Sequence, residues 1–321
     1  MPIPVSIVIT TYNRSRKCLR AVRSVLQQTY PHWECLIIDD GSTDDTVAQL
    51  TALALTDARI QVIPLASNQG QTYATNFAVS LCRYDWIALL DSDDYWHPER
   101  LARQLEQIER WDTRYGLYYC ACHVRMGRWK RWHNPAVYEG ALYDVERHTP
   151  VIGPTSSAIV AKAAWQAVGG LDPTMPSCKD WDCWIRISRY YDVKALNVPL
   201  VYYEINDDAI SANLDKVMRG RLAIWQRHVG EPLPADRQSA LYLQFGKFLL
   251  GRGFCLPART YLQPAWSSDK SFSLAAYLLL TYLPDSLAMS LYTALICLKT
   301  SLMPPPGTPV VVSPQPELLE R

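Results

Sequence analysis

The chain has 321 residues, with 32 Lys plus Arg against 31 Asp plus Glu and a formal charge of +1. Such a balance excludes a nucleic-acid partner gripped by bulk charge, and 49% apolar residues supply core enough for one large domain or two modest ones. Nine cysteines, an odd count without metal-type pairing, read as free thiols in a reducing compartment. The opening MPIPVSIVITTYN enters strand-like sequence at once, without a leader pattern. No apolar run reaches the roughly 18 residues of a spanning helix, so a cytoplasmic chain is expected.

Residues 3–10 (IPVSIVIT) are β-branched and apolar and predict a buried strand, followed by a helix over 15–28 with Leu19, Val22, Val25 and Leu26 at helical spacing. Cys35–Asp39 predicts a second strand running into Asp39-Asp40-Gly41-Ser42, and a helix from about Asp44 capped by Ser42 or Thr43. Ile60–Pro64 predicts a third strand, with the next helix opening near Asn68-Gln69-Gly70. Trp86 to Leu90 is a fourth, an apolar run that stops at Asp91, Asp93 and Asp94. Unbroken apolar strands are buried on both faces, and their alternation with helices predicts a parallel sheet with right-handed crossovers.

Beyond residue 112 the pattern is less regular. Leu117–Val124, 155–161 and 198–203 predict strands, Val168-Gly169-Gly170-Leu171-Asp172-Pro173 a turn, and Lys179–Tyr191 a helix. Trp129-Lys130-Arg131-Trp132 is a basic aromatic knot, either a solvated hairpin tip or a contact for an acceptor or membrane. After about residue 210 everything reads as helix: two short amphipathic helices over 236–265 around Gly251-Arg252-Gly253, then apolar segments Phe272–Leu283 and Ser286–Leu298. The last two are too short to span a bilayer and are flanked by Lys270 and Lys299, which fits a seat in the membrane interface or packing on the preceding domain. Pro304–Pro316 reads as extended or disordered.

Acids at the C-terminal end of a buried strand stand where open α/β sheets bind ligands. Oxygen ligands as close as Asp91 and Asp93 suit Mg2+ or Mn2+, which in turn hold phosphates; the bland alternative is an acidic, solvated turn. The same sheet edge would receive Thr10-Thr11-Tyr12-Asn13-Arg14, Asp39-Asp40-Gly41-Ser42, Asn68-Gln69-Gly70 with Asn76 along its helix, and Lys179-Asp180-Trp181-Asp182. Tyr12 can stack on a nucleobase while Asp39 accepts hydrogen bonds from base or ribose. Asp180 is either a helix-start acid favoured by the macrodipole or a general base. Asp182 stands four residues before Arg186, the spacing of a helical ion pair. Trp181 and Trp184 could floor an acceptor sugar or fill the core, with Trp184 the better core residue.

In order, VSIVITTYNR, DDGSTDDT, NQG, LLDSDDYW, VGGLDP and KDWDCWIR resemble an inverting family-2 glycosyltransferase of GT-A fold, over roughly residues 3–211. The resemblance implies an α/β fold: a GT-A-type doubly wound, mostly parallel sheet flanked by helices, with an all-helical C-terminal extension. Its divisions would be a glycosyltransferase domain over 1–215 (nucleotide-binding half 1–111, acceptor-binding half 112–215), a helical extension over 216–303 and a Pro-rich tail over 304–321. It implies a metal-dependent, non-processive enzyme moving a sugar from a nucleotide-diphosphate donor, commonest in the family as a UDP-sugar, to a glycan or lipid-linked acceptor. Donor contacts then fall to Thr10, Tyr12, Asn13, Asp39, Asn68, Gly70, Asp91 and Ser92. Mn2+ or Mg2+ falls to Asp91 and Asp93, the catalytic base to Asp180, and the acceptor side to Trp181 and Asp182.

Two departures stand out. Lys179 occupies a position where many relatives carry Glu, and Tyr203-Glu204-Ile205-Asn206 replaces a Tyr-Arg-x-His, leaving Asn206 or Asp208 to reach the metal. The Gln-x-x-Arg-Trp signature of processive synthases is absent, since Gln226-Arg227-His228-Val229 does not match it. Rival readings are a nucleotidyltransferase, weakened by the lack of glycine in Thr-Thr-Tyr-Asn-Arg, and a non-catalytic sugar-nucleotide scaffold. No GxGxxG or Walker A loop is present.

Overall fold

The structure, a computed structural model, describes residues 2–108, 114–126, 130–205, 214–230, 255–268, 272–300 and 310–312, together with 239, 242–243, 245–247 and 249–250. The chain divides into two compact units, Met1–Ile224 with Thr308–Arg321, and Trp225–Gly307.

In the first unit, β1 (Val5–Thr11), β2 (Trp33–Asp39), β3 (Ile60–Pro64) and β4 (Trp86–Asp91) run parallel in the order β3-β2-β1-β4. Side chains alternate across a strand, and both sides here are apolar. Val5, Ile7, Ile9, Cys35, Ile37, Ala88 and Leu90 share one core with α1 (Ser15–Leu26), α2 (Thr46–Ala54) and α4 (Arg100–Ile108). Val8, Leu36, Ile38, Ile87 and Leu89 face the other core, with α3 (Gln71–Leu81), α6 (Lys162–Ala167) and α7 (Lys179–Ser188). The short α5 (Tyr143–Glu146) leads towards β9. β9 (Ala158–Ala161) pairs antiparallel with β4 and with β6 (Tyr115–Met126), which pairs parallel with β10 (Asp192–Ile205), so all belong to one sheet. Short strands β5 (Tyr95–Trp96), β7 (Lys130–Asn134), β8 (Tyr138–Gly140) and β11 (Val310–Val312) extend it. The result is the expected α/β architecture, a mostly parallel central sheet flanked by helices.

Local boundaries differ from the sequence reading for identifiable reasons. The segment 155–161 begins as a 3-10 turn, Thr155–Ser157, and becomes strand only at Ala158, because its hydroxyls serve neighbouring loops. Neither Ser42 nor Thr43 caps α2: Asp44 Oδ1 accepts from Thr46 N (3.0 Å), while Ser42 and Thr43 are taken by Asp39 and Asn13. α7 ends at Ser188, and the final strand starts at Asp192 rather than 198, held there by a bond from its N–H to Arg114 O (2.8 Å). Trp129 of the basic aromatic knot lies outside the described residues; Lys130–Asn134 pairs antiparallel with β6 as a hairpin arm.

α8 (Leu214–His228) leads into the second unit, which holds α9 (Cys255–Ser268), α10 (Phe272–Leu280) and α11 (Asp285–Thr300). Arg259 joins α9 to the α10 end by donating to Thr281 Oγ1 (3.2 Å) and to Thr281 O. Leu279, Tyr282, Leu287, Leu291 and Leu295 remain exposed. No described helix is long and apolar enough to cross a membrane. Seven of the fifteen residues 236–250, the Gly251-Arg252-Gly253 segment, and the Pro-rich tail apart from β11 lie outside the described residues.

Candidate active site

Register alone brings two of the expected acids together. Thr10 lies beside Asp91 and Thr11 beside Asp39, so the acids ending β4 and β2 flank β1, roughly 10 Å apart at the normal strand spacing. Asp39 is fully buried and its Oδ2 accepts from Ser42 N (2.8 Å), with the Ser42 hydroxyl on Oδ1. Asp40 accepts from Gln69 N (2.7 Å) and Gly70 N (2.9 Å), tying the loop before α3 to the end of β2. Asn13 takes φ +49° and braces the adjoining loops, its Oδ1 accepting from Thr43 N (2.8 Å) and its N–H donating to Ser42 Oγ (2.8 Å). Tyr12 is 43% exposed, a ring available for stacking. Asn68 is exposed, and Gly70 opens α3. Asn76 stays out of the site: it donates to Leu171 O (2.8 Å) and accepts from Leu171 N (2.9 Å).

The turn after β4 is anchored from below. Asp94, fully buried, accepts from Ser156 Oγ and from Glu204 N (2.9 Å), and its N–H closes the turn onto Asp91 O (3.0 Å). Ser156 Oγ also accepts from Asp91 N (3.0 Å). Ser92 is buried, while Asp93 presents its carboxylate to Arg14 Nη1 (3.1 Å) and its carbonyl to Arg20 Nη2. Asp91 Oδ1 accepts from Gln71 Nε2 (3.2 Å). Burial, then the charges of Asp93 and Asp180, push the Asp91 carboxyl up to about 7.

That electrostatic effect of Asp180 brings the third acid to the same place. Asp180 stands in the first turn of α7, after Cys178 in the left-handed region (φ +56°), a strained conformation typical of functional turns. Its Oδ2 accepts from Thr155 Oγ1 (3.3 Å) and its Oδ1 from Trp181 N (2.9 Å); burial raises its carboxyl above the usual range. The phenol of Tyr203 is pushed up by burial and then by the charges of Asp94, Asp180, Asp91 and Asp93.

The acceptor-side expectations meet a different arrangement. Asp182 is fully buried and pairs with Arg186 (2.7 Å), the structural role its spacing implies, and turns no surface to solvent. Trp181 is 8% exposed, donates from Nε1 to Glu146 O (2.7 Å) and packs with Met175, Ile185 and Ile224, so it is mainly core. Trp184 is core as expected. Asn206 and Asp208 lie outside the described residues.

Sequence reasoning missed the hub at Thr155 and Ser156, where one turn touches Asp180, Asp91 and Asp94. It also missed Glu146, whose Oε2 accepts from Val151 N (2.8 Å) and Ile152 N (3.1 Å), with Oε1 buried and unpaired. The available signal was a run of hydroxyl residues in a segment otherwise reading as strand.

Among the described residues no three His, Cys, Asp or Glu side chains form a ready-made metal cage. Asp91 and Asp93 nevertheless fit Mg2+ or Mn2+, which take one or two carboxylates and complete their shell with substrate phosphates and water. Burial, and then the charges of Asp93 and Asp180, hold Asp91 at about 7, and a bound divalent cation would favour its ionised form.

The glycosyl transferase family 2 model matches residues 6–166, half of the chain. The putative teichuronic acid biosynthesis glycosyltransferase TuaG of Bacillus subtilis is 29% identical over 212 residues, 65% of this chain and 82% of that protein. WfgD of Escherichia coli, a UDP-Glc:α-D-GlcNAc-diphosphoundecaprenol β-1,3-glucosyltransferase, is 36% identical over 104 residues, 32% of this chain and 40% of its own length. In fold, the mannosyltransferase PcManGT of Pyrobaculum calidifontis, solved with GDP-Man and Mn2+, superposes with a TM-score of 0.60 at 18% identity, over 94% of this chain and 88% of that one. A nucleotidyltransferase or a mere scaffold no longer accounts for these likenesses: the chain is a glycosyltransferase of α/β, GT-A-type fold, and it belongs to glycosyl transferase family 2.

Proposed function

We propose that the enzyme transfers one sugar per encounter from a nucleotide-diphosphate donor, a UDP-sugar, to a hydroxyl of a glycan or lipid-linked acceptor, with inversion at the anomeric carbon. The observation that carries this reading is that the charges of Asp93, beside it after β4, and of Asp180, at the start of α7, both act on the Asp91 carboxyl. Tyr12 stacks on the base, and Asp39 accepts from the base or ribose beside loops braced by Asn13, Asn68 and Gly70. Thr10 and Ser92 line the strand ends under the donor. Asp91 and Asp93 hold Mn2+ or Mg2+, which when bound offsets negative charge on the leaving diphosphate.

Asp180, oriented by the Thr155 hydroxyl, takes the proton from the acceptor hydroxyl as that oxygen attacks the anomeric carbon. Direct displacement by one oxygen from the far face gives inversion without a covalent enzyme intermediate. The lipid-linked acceptor named for WfgD and the exposed leucines of α10 and α11 together support a peripheral seat on a membrane surface.

The test is a thermal-shift screen of nucleotide sugars with Mn2+. A UDP-sugar is expected to raise Tm only with metal present, following mass action, and Asp91→Asn is expected to abolish that rise. A metal-independent shift, or one retained in Asp91→Asn, would overturn the metal and donor assignment.

A further inference from the structure

Glu146, the last residue of α5, is fully buried and takes no part in the transfer proposed above, yet both groups that hold Asp180 trace back to it. Its main-chain carbonyl accepts from Trp181 Nε1 (2.7 Å), and Trp181 N is the donor to Asp180 Oδ1. Its Oε2 accepts from Val151 N (2.8 Å) and Ile152 N (3.1 Å), just before Thr155, the donor to Asp180 Oδ2. The chain between Ile152 and Thr155 is closely packed. Gly153 lies against Ser157, where a Cβ would stand 2.6 Å from its Oγ, and Pro154 O accepts from Ser157 N (2.8 Å) and Oγ (2.7 Å). Beyond Thr155, Trp96 Nε1 donates to Ser156 O (3.0 Å), Gln104 Nε2 to Ser157 O (3.1 Å) and Arg100 Nη2 to Ala158 O (3.0 Å). Thr155 is thus fixed on its far side by β5 and α4, and on its near side through Glu146. Burial pushes the Glu146 carboxyl up to about 8, against the pull of the Val151 and Ile152 N–H groups. At neutral pH it is mainly the neutral acid, with its proton on the unpaired Oε1 and Oε2 left to accept.

We propose that Glu146 is a positioning residue for the base: by gathering the backbone at 151–152 it sets where the Thr155 hydroxyl meets Asp180. This inference rests on the proposed role of Asp180. Trp181 N fixes one carboxylate oxygen and Thr155 Oγ1 the other, so a shift of Thr155 turns the carboxylate away from the line of the acceptor hydroxyl. A reacting group misplaced by about 1 Å can lose about 10²-fold in rate. The Glu146 side chain reaches the base through Thr155, while its link to Trp181 is main-chain and survives substitution.

The experiment measures UDP released from UDP-glucose and from UDP-N-acetylglucosamine with Mn2+, water serving as the acceptor. The water oxygen bonds to the anomeric carbon, the bond to the diphosphate oxygen breaks with its electron pair leaving on UDP, and the water proton passes to Asp180. Glu146→Met keeps the bulk without an acceptor oxygen, and Glu146→Asp is one methylene too short. Each is expected to lower turnover about tenfold while apparent UDP affinity, from thermal shift, stays within about twofold. Glu146→Gln keeps an oxygen for the two N–H groups and is expected to restore most of the turnover. Thr155→Val should lose as much as Glu146→Met, and the two together no more than Thr155→Val alone. Each variant's own UDP response is its folding reference, and Glu146→Asp decides should Glu146→Met not fold. Wild-type turnover in Thr155→Val or Glu146→Asp, additive losses in the double variant, or Glu146→Gln as slow as Glu146→Met would overturn the role. Wild-type release no faster than that of Asp180→Asn would instead remove the proposed base on which it rests.

Discussion

At the residue scale, Asp180, held by Thr155 Oγ1 and Trp181 N, is the proposed base. Asp180→Asn is expected to lower kcat by about 10²-fold or more, the usual contribution of a general base, with donor binding retained; steady-state kinetics beside donor titration checks both halves. Glu146 offers a pH test. Its buried carboxyl is pushed up from 4.5 to about 8, first by burial and opposed by the Val151 and Ile152 N–H groups. A raised acid contributes fully below its unfolded value, and that contribution is lost as pH rises from 4.5 through about 8. Glu146→Gln, neutral at every pH, should therefore raise Tm at pH 8 while changing it little at pH 4.5, and a denaturation series across that window measures the difference. At this scale the sequence was informative for the acids proposed to face donor, metal and acceptor (Asp39, Asp91, Asp93, Asp180), since those residue types end strands or open helices. Thr155, Ser156 and Glu146 were hidden because their importance comes from partners distant in the chain.

At the level of elements, the parallel strands were legible because both their faces are apolar, a pattern that solvated strands do not show. The second half was less so: β6 and β10 are long and irregular in register, and β9 runs antiparallel between them and the parallel strands β1–β4. The Gly169-Gly170 turn was foreseen from its glycines, but its purpose was not. Gly170 has φ +68°, and a Cβ there would lie 2.4 Å from Asn76 Oδ1 and 2.5 Å from Trp165 Nε1. Gly170→Ala is expected to cost about 2 kcal/mol, from strain plus the broken Asn76–Leu171 clamp, read as a lower urea midpoint with unchanged slope. Retained stability would mean that the turn relaxes without loss.

For the whole molecule, the division of labour follows from composition. The first unit buries apolar residues on both faces of its sheet, whereas the helices of the second leave Leu279, Tyr282, Leu287, Leu291 and Leu295 in solvent. Flotation with anionic vesicles should carry the full chain upward, and Leu287→Gln with Leu291→Gln should reduce that fraction severalfold; equal flotation would detach this face from membrane binding. The sequence foretold helices here from their apolar runs, yet could not distinguish interface from packing, since both use the same residues. The central proposal is that Asp91 and Asp93, at the end of β4, hold a divalent cation and the donor diphosphate beside Asp180 of α7. Electron paramagnetic resonance of Mn2+ titrated into the chain with UDP tests it most directly. Stoichiometric bound Mn2+ is predicted for the wild type and for Asp180→Asn, with loss in Asp91→Asn and Asp93→Asn; undiminished Mn2+ binding in both of those variants would contradict the account.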